Sequence, residues 1–209
     1  MRLRHIPLVA AAALLALPSA ASAQLEFGSA PNVPSLGAVT LSGAAQTQTA
    51  QMANWEVRDS RLVALGWHVT AQGDGTAGKS AVFKEYCSDG TATNGCDTAV
   101  GGGPGPGYVT GGHTLPAGSL TLDSSGASFQ PVGLTVGTPP THLCSAGCLL
   151  DSASVSVAFA AAGLGLGTWR AQDYSADSLS LGVPTSTRFI GSGNKLYRVD
   201  VVWTLASGP

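Results

Sequence analysis

The chain is short of charge. Asp, Glu, Lys and Arg make up 11% of its 209 residues, where soluble domains carry about a quarter. Positive charge is not in excess, since ten Lys and Arg stand against twelve Asp and Glu. That excludes the basic patch on which nucleic-acid binding depends. No stretch repeats apolar residues with helical spacing. Beyond the N-terminus, no apolar run is long enough to span a bilayer. Glycine, at 28 residues, is plentiful instead. Low net charge argues against a disordered chain. The composition suits short strands joined by Gly, Ser and Asp turns.

The N-terminus carries Arg2 and Arg4, then an apolar stretch from Ile6 to Leu17. Pro18 breaks that stretch, and Ala21-Ser22-Ala23 supplies small residues at a cleavage position. Residues 1–23 thus read as a secretory signal peptide. Residues 24–209 remain, a length that suits one domain. Without Arg2 and Arg4, eight cationic residues oppose twelve acidic ones and the formal charge is −4. A chain of that sign has no electrostatic pull toward an anionic polymer.

Alternation is the dominant pattern. In Asn54–Arg58, Trp55 and Val57 oppose Asn54, Glu56 and Arg58. In Leu65–Ala71, the residues Leu65, Trp67, Val69 and Ala71 face one way and His68 the other, toward solvent. In Leu196–Leu205, the residues Val199, Val201, Trp203 and Leu205 share a face with Tyr197. Such runs are half-buried strands with tryptophan on the apolar side. Further strands are predicted at Gly37–Leu41, Ala81–Tyr86, Ser119–Leu122, Leu134–Val136, Ser154–Ala160 and Leu179–Leu181. Turn clusters separate them at Gly73–Gly78, Ser88–Gly95, Gly101–Gly107, Pro139-Pro140 and Gly191–Asn194. Many short strands between turns predict an all-β, antiparallel, immunoglobulin-like sandwich with Gly-rich loops.

Two stretches carry a resemblance. Tyr197–Leu205 reads YRVDVVWTL and fits a Tyr-x5-Trp-x-Leu pattern, and Trp55–Val57 reads WEV. Together they resemble the WxL domain family of Gram-positive cell-surface proteins. The resemblance runs on through ANWEVRDSRLVALGWHV at 53–69, LPAGSLTL at 115–122 and LGLGTW at 164–169. It implies non-covalent attachment to the cell wall, with peptidoglycan as partner and the cell surface as location. The other reading is a structural subunit of a surface layer, held by other cell-surface proteins.

The motif residues Trp55, Val57, Trp67, Tyr197, Trp203 and Leu205 fall on apolar faces and read as core. Trp169 differs. It shares a face with Gly165 and Gly167, so it is the candidate platform for a glycan or partner. The four cysteines, Cys87, Cys96, Cys144 and Cys148, are an even count in an exported chain and read as disulfides. Short, turn-rich loops favour Cys87–Cys96 and Cys144–Cys148. The competing zinc reading, with His142 beside Cys144 and Cys148, lacks a fourth ligand, and no cofactor is expected.

Gly73–Ser80 reads GDGTAGKS, the pattern of a phosphate-cradling loop. Such a loop must open a helix, yet β-like residues follow. It therefore reads as a hairpin turn, with no nucleotide as partner. Leu115–Ser119 reads LPAGS, close to a sortase signal but central in the chain. It reads as a turn leading into a strand. For catalysis, His68, His113 and His142 are the histidines left after residue 23, and the carboxylate sets are Asp123/Asp151 and Asp173/Asp177. No nucleophile elbow accompanies them, and the aspartates sit at turn positions. A binding protein, not an enzyme, is expected; a secreted hydrolase is the weaker reading.

Signal peptidase is expected to cut after Ala23. Intact mass of the exported protein then begins at Gln24; a full-length mass in the medium refutes this.

Overall fold

A computed structural model describes residues 24–88, 106–190 and 195–208. The leader, Cys96 and with it the expected Cys87–Cys96 pairing, the Gly191–Asn194 turn and most of the Ser88–Gly95 and Gly101–Gly107 turns lie outside the described residues. Among the described residues there is no helix, and fifteen short strands form four antiparallel sheets. The strands are β1 (Leu25–Ser29), β2 (Gln46–Ala50), β3 (Trp55–Asp59), β4 (Trp67–Gly73), β5 (Lys84–Cys87), β6 (Gly107–Tyr108), β7 (Leu120–Leu122) and β8 (Ser128–Val132). They continue as β9 (Thr141–His142), β10 (Cys148–Leu149), β11 (Val155–Ala160), β12 (Gly167–Gln172), β13 (Leu179–Val183), β14 (Lys195–Arg198) and β15 (Val201–Ser207). The sheet orders are β1-β3-β12-β8, β10-β7-β13-β2, β15-β4-β11-β9 and β14-β5-β6.

The expected all-β sandwich is present, and alternation explains it. Along β3, Trp55, Val57 and Asp59 are buried while Arg58 is exposed; along β4, Trp67, Val69, Ala71 and Gly73 are buried. The buried faces meet in one core with Leu120, Leu122, Leu150, Val157 and Leu179. Each core indole also needs a partner for its N–H. Trp55 Nε1 donates to the Tyr174 hydroxyl at 2.8 Å, Trp67 Nε1 to Gly165 O at 3.1 Å and Trp169 Nε1 to Leu166 O at 3.0 Å. Gly165 lies at φ 83°, and a Cβ there would stand 2.6 Å from Trp67 Nε1. Only glycine brings its carbonyl to that indole.

The outer face of the first sheet is tied by cross-strand pairs. Arg170 and Glu56 sit opposite each other, with Arg170 Nε donating at 2.7 Å, and Arg58 reaches Glu26 at 3.4 Å. Six of the eight cationic side chains after residue 23 form ion pairs. Cys144 and Cys148 are joined, as expected.

Several expected strands differ. Gly37–Leu41 is not a strand; it runs without a sheet partner, and Val39 and Leu41 pack on the core. Leu134–Val136 is a loop, because Gly133 (φ 66°) and Gly137 (φ 124°) turn the chain on either side. Leu196–Leu205 divides at Val199-Asp200, since β14 pairs with β5 but β15 with β4. Leu65 is exposed because Gly66, at φ 74°, interrupts the alternation. His68 is half-buried, with Nδ1 2.8 Å from Gly208 O.

His142, on β9, lies among the aromatic side chains of the core. Its ring stacks on Phe129 at 4.3 Å and meets Trp55 and Tyr174 edge-on. Neither ring nitrogen has a hydrogen-bond partner of good geometry. Burial pulls its pKa down to about 4, opposed by the Ser128 backbone. The unfolded chain therefore takes up this proton first as pH falls. Stability should be full at neutral pH and decline from about pH 6.5 to about pH 4, by on the order of 3 kcal/mol. His142→Phe should flatten that decline and stabilise the protein at pH 5. Urea denaturation across this range is the check; an unchanged pH profile in the variant refutes it.

Candidate functional site

A large groove runs along the surface of the described residues, enclosing about 1100 Å³. One wall is the motif strand and its approach, with Tyr197, Val201 and Trp203. The other is the strand-free segment 31–41 that links β1 to β2. Leu181 and Val183 of β13 contribute to its lining, and Phe189 stands at its rim with 76% of its surface exposed.

This corrects the expectation for part of the motif. Trp55, Val57 and Trp67 are fully buried, but Tyr197, Trp203 and Leu205 are only half-buried against the core. The register explains it. Trp203 lies opposite Ala71 and Leu205 opposite Val69, so both share the core-facing side of their sheet. Yet β15 is the edge strand there, and the segment above it is not a closed layer. Trp169 is corrected the other way. It is 1% exposed and cannot serve as a stacking platform. Its strand β12 is central in its sheet, and Trp169 lies opposite Val57, so its face is the core face.

At one end of the groove a single carboxylate gathers three groups. Asp200 accepts from Lys79 Nζ at 2.8 Å, from Arg198 at 2.7 and 3.0 Å and from the Tyr108 hydroxyl at 3.1 Å. Its backbone carbonyl accepts from Asp74 N–H at 2.7 Å. Burial acts to raise the Asp200 pKa, but Lys79, Arg198 and Tyr108 outweigh it and the pKa is lowered. Burial, then the Asp200 charge, raise that of Tyr108. The Arg198 guanidinium lies 4.6 Å over the Tyr86 ring, and Tyr86 meets Tyr108 edge-on at 5.2 Å. Lys195 pairs with Glu85 at 3.0 Å.

The GDGTAGKS segment enters here. It is a turn, as expected, but not a hairpin, because β4 and β5 lie in different sheets; Lys79 N–H bonds Thr76 O and the Asp74 carboxylate accepts from Thr76. Strand β5 follows it, and its lysine is spent on Asp200. The LPAGS segment is likewise a turn before β7. The buried Asp151 carboxylate accepts from Ser119 and Leu120 N–H at 3.1 and 2.9 Å. Of the carboxylate sets, Asp123 accepts from Ser125 N–H and Asp173 from the Ser128 hydroxyl.

The groove thus offers aromatic and aliphatic walls with charged and hydroxyl groups at one end. That chemistry suits an extended ligand with apolar faces and polar edges. Alternation could not single out Tyr86 or Phe189. An aromatic inside the Gly/Ser/Thr-rich run at 185–194 was the available signal for Phe189. Families of known proteins, curated proteins and solved structures contain no match to this chain.

Asp200→Asn should cost about 1–2 kcal/mol, because Lys79, Arg198 and Tyr108 lose their shared anion. Wild-type stability from this carboxylate should be complete above its ordinary pKa and be lost as pH falls through the lower folded value. Denaturant midpoints of the two proteins at neutral and acid pH test this; equal midpoints at neutral pH refute it.

Proposed function

We propose that the protein is an exported cell-surface protein that associates non-covalently with peptidoglycan, and that the groove beside Tyr197 and Trp203 is where it does so. The observation that carries this reading is the half-buried state of Tyr197 and Trp203, the two aromatics of the Tyr-x5-Trp-x-Leu pattern, along a groove. Aromatic rings stack on the apolar faces of sugar rings. Hydroxyl, amide and carboxylate edges of a glycan with peptide stems suit the polar end around Asp200, Arg198 and Lys195. Most cationic side chains are already paired, so attraction to an anionic wall contributes little.

Sedimentation with wall stripped of protein, lipid and teichoic acid is the test. Wild type should bind, with little loss at about 1 M salt, where screening is short-ranged. Phe189→Ala should weaken binding about fivefold through a lost stacking surface of about 1 kcal/mol. Its denaturation midpoint should not move, since Phe189 is exposed. No sedimentation at either salt overturns the reading and leaves a subunit held by protein partners.

A further inference from the structure

Among the described residues, one edge strand has none of the usual guards. An edge strand shows unpaired N–H and C=O groups, and folded chains blunt such edges with short length, charge, proline, a bulge or a covering segment. The edges β6, β9 and β10 have two residues each. Strand β1 carries a bulge between Phe27 and Ser29, β8 carries Pro131 and β14 carries Lys195 and Arg198. Strand β15 runs alongside β1. Strand β2, which reads QTQTA at Gln46–Ala50, has no charge, no proline and no bulge. From Phe27 to Trp55 the chain carries no charged residue at all.

Register says what this edge offers. Gly182 N–H donates to Ser119 O at 2.8 Å, so Gly182 and Ser180 turn their backbone groups toward β7. Leu179, Leu181 and Val183 therefore turn theirs toward β2, where they lie opposite Ala50, Gln48 and Gln46. The N–H and C=O groups of Thr47 and Thr49 are left pointing outward. Both threonines are exposed, and neither makes a hydrogen bond. The Gln48 side-chain amide between them is also without a partner.

We propose that this edge takes β2 of a second copy, paired antiparallel about a two-fold axis at Gln48. In that register Thr47 lies opposite Thr49 of the second copy. Their outward N–H and C=O groups bond each other, and the axis repeats the pair. Centred on Thr47 or Thr49 instead, the other threonine would face Ala45 or Gln51, outside the strand. Gln48 meets itself in the closer kind of pair, which makes no backbone bonds. A primary amide both donates and accepts, so two Gln48 side chains satisfy each other. Thr opposite Thr is likewise self-complementary. Charge also favours a copy here. Eight cationic residues stand against twelve acidic ones after residue 23, so two copies repel each other, and least where both are uncharged. Two four-stranded sheets would become one of eight. One edge strand per copy is a small contact, so the pairing is weak and concentration-dependent. It is separate from wall binding and is tested without wall.

Sedimentation velocity of the exported protein from about 1 μM to 1 mM, the range of weak pairing, is the test. Wild type should pass from monomer to dimer. Thr47→Lys/Thr49→Lys and Thr47→Glu/Thr49→Glu should each associate at least about tenfold more weakly, because like charges then lie opposite each other. Both positions are exposed, so thermal unfolding should match wild type. An equal mixture of the two variants should regain dimer, since each Lys then faces a Glu. A wild type that stays monomeric at about 1 mM, a variant that associates as wild type does, or a mixture that stays monomeric overturns the proposal. So does protection of the Thr47 and Thr49 amides from hydrogen exchange by an uncharged extended peptide while wild type stays monomeric, since a peptide strand is then the occupant.

Discussion

Three indoles hold the sheets together. Trp55, Trp67 and Trp169 lie at the centre of the core with almost no exposure. Each brings a large apolar area, and each carries one N–H that burial would penalise if left unpaired. The fold meets that demand three times, with the Tyr174 hydroxyl, Gly165 O and Leu166 O. Two of those carbonyls belong to the 161–166 loop, which must therefore be placed with the accuracy of a hydrogen bond. Gly165 is there because a Cβ would collide with the Trp67 ring it serves.

The surface features depend on that frame. With the indoles fixing β3, β4 and β12, strand β15 becomes an edge, and Tyr197 and Trp203 border a groove instead of joining the central core. Asp200 lies between β14 and β15, and its carboxylate draws Lys79, Arg198 and Tyr108 to one end of the groove. At the other end of β15, Asp59 and Arg61 perform the matching task for loop 60–66. A chain with few charges has spent three of its eight cationic side chains after residue 23 on these two joints.

Alternation alone made Trp55, Val57, Trp67 and Val69 legible as core, because strand period and burial coincide there. Turn chemistry made GDGTAGKS and LPAGS legible as turns, and short spacing made Cys144–Cys148 legible as a disulfide. Alternation failed where glycine takes positive φ. Gly66 releases Leu65 to solvent, and Gly133 and Gly137 turn Leu134–Val136 into a loop tip. It was also silent on which face of a strand is covered. Trp169 above Gly167 looked open in one dimension, yet Val57 and Pro131 stand on either side of it in the sheet.

The sequence by itself determined the all-β class, the inward tryptophans of β3 and β4 and the places where the chain must turn. These follow from local periodicity and from residue-specific backbone freedom, which act within a few residues. Only the tertiary structure decided that Trp203 flanks a groove, that His142 sits among aromatics and that β2 is a sheet edge. Those depend on which strand lies beside which, and pairing is set by the summed packing of residues more than a hundred positions apart, as with Trp55 and Tyr174. No local pattern carries that information.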